Sequence, residues 1–223
     1  MKDYSVFDII GPRMIGPSSS HTAGAARLGK VARKISGSDI KKVVFILYGS
    51  FAKTYKGHGT DRALVAGILG MEPNDPELSK SMEIAKRRNV EYDFIKSDQE
   101  TAHPNTVKMI IINEDNKINE IVGSSIGGGN ILITQINGLD VEFTGEYPTL
   151  VIRHIDKPGV IADVTSLLEE FGINIAFMKV FRQSRGKDAF MLIEIDGSVP
   201  QTAIERIKSL GDEIVDIYLI EAL

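Results

Sequence analysis

Between residues 149 and 220 the apolar side chains follow a strand, helix, strand, strand, helix, strand rhythm, regular enough to admit very few architectures. Thr149-Leu150-Val151-Ile152-Arg153-His154-Ile155 is a β-rich run. Asp156-Lys157-Pro158-Gly159 follows, offering a capping acid and a proline at a helix start. Val160, Ile161, Val164, Leu167, Leu168 and Phe171 then recur at helical spacing until Gly172 stops the helix. A second strand is predicted over 173–181, a turn over 184–188, a third strand over 189–195, a helix over 200–210 and a last strand over 213–220. The β-α-β-β-α-β order with amphipathic helices on one sheet is ferredoxin-like.

The preceding residues are less regular. A composition shift at Gly145-Glu146-Tyr147-Pro148 divides the chain into domains over 1–147 and 148–223. In the first, a short strand is predicted over 4–9, then a Gly/Pro loop over 11–17, helices over 23–35, from the 57–61 segment through Leu69, and over 77–88, and a strand over 42–48. From residue 92 the pattern changes to strands, at 92–96, 107–113, 118–123, 131–136 and 141–144, with turns at Glu114-Asp115-Asn116 and Asn137-Gly138. The fold class is α+β, with an antiparallel sheet in the first domain.

Charge and composition remove whole classes of function. The 223 residues carry 26 basic and 30 acidic side chains, without the concentrated Lys/Arg face that nucleic acid requires. The densest basic run, Lys86-Arg87-Arg88, reads as a solvated helix face. No apolar run approaches the roughly 18–20 residues of a membrane-spanning helix. Met1-Lys2-Asp3-Tyr4 lacks the basic-then-apolar pattern of a secretory signal, so a cytoplasmic location is expected. There is no cysteine. That excludes disulfides, thiolate nucleophiles and any cluster held by this chain's own sulfur. Chemistry falls to histidine, hydroxyls, carboxylates and backbone, or to a cofactor on another chain.

Three of the four histidines lie in the first domain beside residues suited to ligand work. Ser18-Ser19-Ser20-His21-Thr22 sits between a Gly/Pro loop and a helix, so hydroxyls, backbone N–H groups and the positive helix end converge. This suits a small carboxylate, with His21 as a donor or proton-transfer group. The same residues also suit ordinary helix capping. In Gly57-His58-Gly59-Thr60-Asp61 the flanking glycines clear bulk around an imidazole whose ordinary pKa suits proton abstraction near neutrality, and Thr60 or Asp61 is placed to cap the next helix. Ala102-His103-Pro104-Asn105 holds a third histidine extended before proline, with Asn105 as a hydrogen-bonding neighbour. Their spacing matches no compact metal motif, so no metal ligands are assigned and proton transfer ranks above zinc. Ile126-Gly127-Gly128-Gly129-Asn130 lacks the Lys-Ser/Thr of a phosphate loop and reads as a tight bend, with Ser124 and Ser125 as neighbouring contacts. In the second domain, Asp156 and Gly159 at the strand-to-helix loop and Asn174 at the next strand offer partners for an amino acid, or serve as turn residues. His154 is expected to be structural or a rim contact.

Gly-Pro-Ser-Ser-Ser-His-Thr at 16–22, Gly-His-Gly-Thr-Asp at 57–61, His-Pro-Asn at 103–105 and Ser-Ile-Gly-Gly-Gly at 125–129 together resemble the β chain of the iron-sulfur-dependent bacterial L-serine dehydratases. His-Ile-Asp-Lys-Pro-Gly-Val-Ile at 154–161 and Gly-Ile-Asn-Ile at 172–175 resemble an ACT domain, and residues 1–147 are similar to the allosteric substrate-binding domain of some 3-phosphoglycerate dehydrogenases. The resemblance implies elimination of water from L-serine, followed by hydrolysis of aminoacrylate to pyruvate and ammonia. It implies a [4Fe–4S] cluster with one open iron, held by the cysteines of a separate α chain, which acts as Lewis acid on the serine hydroxyl. His58 is the candidate base for the Cα proton, with His21 and His103 assisting. Ser18, Ser19, Ser20, Thr22 and Thr60 are candidate carboxylate holders, and Asn105 a further substrate contact. Asp156, Gly159 and Asn174 become the candidate regulatory amino-acid site, with dimerisation through ACT domains. The competing expectation is a non-catalytic amino-acid-sensing module, and a metal-dependent hydrolase is a distant third.

Overall fold

The computed structural model describes residues 13–37, 39–182 and 184–223. The strand expected over 4–9 and the start of the Gly/Pro loop lie outside them. The chain forms two compact units, one through Gly138 and one from Leu139 onward.

In the first unit, β1 (Ile40–Leu47) lies between β2 (Glu91–Lys96) and β3 (Thr106–Asn113), and β4 (Ile118–Gly127) and β5 (Asn130–Ile136) follow. All neighbours are antiparallel except β1 and β2, which run parallel, with Phe45 opposite Phe94. The sheet is antiparallel as expected, apart from this one edge pair. The reason is the connection: β1 returns to β2 through α2 (Gly49–Thr54), α3 (Thr60–Ile68), a 3-10 turn at Leu78–Lys80 and α4 (Ser81–Arg87). A helical crossover of that length carries the chain back to the same end of the sheet. The expected helix over 77–88 is therefore a 3-10 turn and a short α-helix, and the helix at Gly49–Thr54 was not expected.

The long helix of this unit, α1 (Ala25–Ser36), buries Leu28, Val31, Ala32 and Ile35 against a sheet face carrying Val43, Phe45, Val107, Met109 and Ile121. Its small residues let backbones meet. A Cβ on Gly29 would stand 2.5 Å from the Leu64 carbonyl oxygen of α3, and one on Gly67 would stand 2.1 Å from the Ala26 carbonyl oxygen of α1. The two helices therefore cross with reciprocal glycines at the contact.

The second unit begins with β6 (Leu139–Phe143), whose Glu142 pairs with Lys179 at 2.8 Å. It contains β7 (Thr149–Ile155), α5 (Val160–Glu170), β8 (Ile175–Arg182), β9 (Asp188–Ile195), α6 (Gln201–Lys208) and β10 (Ile214–Ile220). The sheet order β10-β7-β9-β8 is the ferredoxin-like arrangement expected. Alternate residues of β7 and β9, Leu150, Ile152, Met191 and Ile193, pack with Val164, Leu167, Leu168, Ala203 and Ile207 of the helices. Asp156 does not cap α5, contrary to expectation. The cap position is Gly159, which has no side chain to offer, and Asp156 turns away to accept from Arg182 Nη1 at 3.2 Å and the Gly186 N–H at 3.3 Å.

Candidate active site

The serine-histidine segment is itself helical, which moves the start of the helix ahead of the expected residue 23. Ser19–Gly24 forms a π-helical turn leading into α1, a distortion that often marks functional sites. Ser18 is its N-cap, accepting the His21 N–H through Oγ at 3.2 Å, and the Thr22 N–H donates to the Ser18 carbonyl at 2.8 Å. The Ser18 hydroxyl also lies 3.3 Å from His21 Nδ1, so His21 engages it twice. Ser19 and Ser20 are partly exposed on the same turn.

His21 is buried, and the motifs that are distant in sequence meet around it. Its Nε2 lies 3.2 Å from Ser50 Oγ on α2, and its ring meets that of His58 edge to face, with centroids 4.7 Å apart and planes at 87°. Phe51 packs on it at 5.3 Å. Burial, and secondly the charge His58 can carry, hold the His21 imidazole below its ordinary pKa of 6.5. Both ring nitrogens of His21 are occupied by hydroxyls. The His58 ring is exposed, and its nitrogens make no hydrogen bond among the described residues. Its backbone is fixed: the His58 N–H donates to Thr54 O at 3.1 Å, and the Thr22 hydroxyl reaches His58 O at 3.5 Å.

Neither Thr60 nor Asp61 caps α3, as the sequence suggested. Gly59, with φ of 71°, takes the cap position, while Asp61 accepts the Arg62 N–H at 2.8 Å and burial raises its carboxyl pKa. Thr60 is fully buried, and its hydroxyl has no partner among the described residues.

The His-Pro-Asn segment approaches from the other side. His103 Nδ1 accepts the Asn105 N–H at 3.2 Å, which places the proton of the neutral ring on Nε2. The Pro104 carbonyl accepts the Ser50 N–H at 2.7 Å. Asn105 exchanges backbone and side-chain contacts with Ser125, the Ser125 N–H donating to Asn105 O at 2.9 Å, and leaves its own Oδ1 buried without a partner among the described residues. Ser125 Oγ, in a fully buried residue, likewise has no partner among the described residues. A Cβ on Gly24 would stand 2.0 Å from that oxygen, so only glycine lets the π-turn approach β4. Ser124, by contrast, gives its hydroxyl to Thr106 at 2.7 Å and is structural.

The triple glycine closes the β4–β5 hairpin as the expected tight bend. Gly128 and Gly129 form its two-residue turn with φ of 62° and 86°, and Arg27 of α1 anchors it by donating to Gly129 O at 2.8 Å. Ser50 is a neighbour of the cluster that the sequence did not single out. Its only local setting is a helix of less than two turns.

In the second unit Asn174 donates to Asp196 Oδ2 at 2.7 Å, and no hydrogen bond joins Asp156, Gly159 and Asn174 to one another. His154 is buried in β7, with Nδ1 3.0 Å from the Ile155 carbonyl and Nε2 without a partner among the described residues. Among the described residues no three His, Asp or Glu side chains gather as metal ligands. With no cysteine in the sequence, the donor set does not fit an iron-sulfur cluster on this chain.

A cluster of histidines, hydroxyls and an amide on an α+β unit, followed by a ferredoxin-like unit, defines a chain built to handle a small polar metabolite. Residues 5–93 match the serine dehydratase beta chain family, and residues 149–212 match the ACT domain family. The chain is 44% identical to the probable L-serine dehydratase beta chain of Bacillus subtilis, over 96% of this chain and 97% of that one. It is 44% identical to the L-serine dehydratase beta chain of Peptoniphilus asaccharolyticus, over 88% and 89%. It is 32% identical to the D-3-phosphoglycerate dehydrogenase of Methanocaldococcus jannaschii over 88% of this chain, but only 37% of that enzyme. The chain belongs to the serine dehydratase beta chain family.

Proposed function

We propose that this chain is the β subunit of a two-chain L-serine ammonia-lyase, which converts L-serine to pyruvate and ammonia together with a cysteine-bearing α chain. The observation that carries the reading is the meeting of His21, His58 and the His103–Asn105 segment around one α+β site.

His58 is the base. Its ring is exposed and free to accept, and it takes the Cα proton of serine. His21, buried and neutral, meets it edge to face without adding a competing charge. His103 presents Nε2–H as a donor, and Asn105 Oδ1 is an acceptor suited to the α-ammonium group. Ser19 and Ser20 present hydroxyls to the substrate carboxylate, while the Ser18 and Thr22 hydroxyls hold His21 and the His58 carbonyl, and Thr60 is too deeply buried to reach substrate. Loss of the Cα proton and of the β-hydroxyl, as water, gives aminoacrylate, which tautomerises and hydrolyses to pyruvate and ammonia. The [4Fe–4S] cluster belongs to the α chain's cysteines, and the departure of the hydroxyl is that chain's task.

Residues 1–147 take the substrate chemistry in this reading, and the ACT domain over 148–223 takes regulation. An amino acid effector at the Asp156, Gly159 and Asn174 loops, dimerisation through ACT sheets and a cytoplasmic location complete it. The test is His58→Ala in the assembled enzyme, expected to lower kcat by about 10²–10⁴-fold. Near-normal kcat removes His58 as the base. A second reading, a non-catalytic amino-acid-sensing module, draws on the relative that is a D-3-phosphoglycerate dehydrogenase. Under it the assembled pair loses regulation, not turnover, when His58 is replaced.

A further inference from the structure

Ser50 belongs to none of the histidine-bearing segments, yet it contacts those of His21 and His103 directly and reaches that of His58 through Thr54. Its hydroxyl lies 3.2 Å from His21 Nε2. Its N–H donates to the Pro104 carbonyl at 2.7 Å, one residue from His103. Its carbonyl accepts the Thr54 hydroxyl at 2.8 Å, and the Thr54 carbonyl in turn holds the His58 N–H at 3.1 Å. We propose that Ser50 is a positioning residue of the active site, which with Ser18 locks the rotation and protonation pattern of His21 and so sets the ring face against which His58 works. The proposal rests on the reading of His58 as the base.

The chemistry follows from what each atom can donate. A hydroxyl gives one hydrogen and accepts two, while a neutral imidazole has one N–H and one bare nitrogen. The Ser18 Oγ already accepts the His21 N–H, which fixes that hydroxyl in place. With a hydroxyl on each ring nitrogen, His21 is satisfied in its neutral form, one serine donating and the other accepting. Its ring cannot turn about its bond to the chain without breaking both contacts. Without Ser50, Nε2 faces a void, and the ring gains a second orientation in which the edge contact to His58 is lost. Ser50 itself never needs to touch substrate.

The experiment uses the full chain and its assembled enzyme, with Ser50→Ala and the hydroxyl-retaining Ser50→Thr. Imidazole 15N spectra of the full chain, recorded above pH 7.5, read the protonation pattern of His21. The expected result is a changed Nδ1/Nε2 pattern in Ser50→Ala and the original pattern in Ser50→Thr. In the assembled enzyme, Ser50→Ala is expected to lose about tenfold or more in kcat with KM little changed, because the base is misaimed while substrate contacts persist. Ser50→Thr recovers most of it. An unchanged 15N pattern in Ser50→Ala overturns the proposal whatever kcat does, and so does a changed pattern with full kcat. His58→Ala, run beside them, separates the two claims. If it keeps full activity the assignment of the base fails, while the His21 spectra still decide what Ser50 does to the ring.

Discussion

His21 and His58 are one pair divided by environment. The buried ring is held neutral below its ordinary pKa of 6.5 chiefly by burial, while its partner faces solvent. An NMR titration of the full chain is expected to give His21 a midpoint below 6.5. The linkage sign follows: between the folded midpoint and 6.5 the unfolded chain binds more protons than the folded one. Stability from this group is therefore complete above pH 6.5 and is lost as the pH falls through that window. Urea unfolding at pH 7.5 and pH 5.5 checks it, with His21→Gln expected to flatten that part of the pH dependence. Gly24 gives a second prediction at this scale. Gly24→Ala drives a methyl into Ser125 and is expected to cost about 1–3 kcal/mol and to weaken activity beyond its effect on stability. The histidines and serines themselves were legible in the sequence because glycine, serine and proline flank them. Their partners were not, since Ser50 and Phe51 carry no local signal and act only through the tertiary meeting.

Elements were legible where periodicity is long. The βαββαβ order of the second unit could be read residue by residue, because each helix lays one apolar stripe on a sheet whose inner face alternates. In the first unit the strands after residue 91 were equally plain. The short helix Gly49–Thr54 was invisible because six residues hold less than two turns, and the π-turn at Ser19–Gly24 because its widened geometry has no periodic signature. The parallel pairing of β1 with β2 depends on a crossover, which no local pattern specifies. The crossing of α1 and α3 is the element whose failure is simplest to provoke. Gly67→Ala places a methyl on the Ala26 carbonyl and the Lys30 N–H, backbone groups that a side-chain rotation cannot clear. Chemical denaturation of the full chain is expected to show a loss of about 1–3 kcal/mol or more.

At the scale of the whole molecule the chain pairs a site rich in proton-transfer groups with a second unit of the ACT family. If the loop of that second unit binds a regulatory amino acid, isothermal titration of the full chain with millimolar L-serine gives a heat signal that Asn174→Ala reduces without affecting His58. No dependence on Asn174 removes that loop from the account. The absence of cysteine makes the larger division. In the proposed enzyme this chain supplies the imidazoles and hydroxyls, and the α chain supplies the thiolates. The most direct measurement is anaerobic co-expression of this chain with the cysteine-bearing α chain, assaying pyruvate release from L-serine by the pair and by each chain alone. Activity in the pair only, lost with His58→Ala, is the predicted result. Full turnover by the α chain alone, merely adjusted by this one, would contradict it and make the histidine cluster a sensor site.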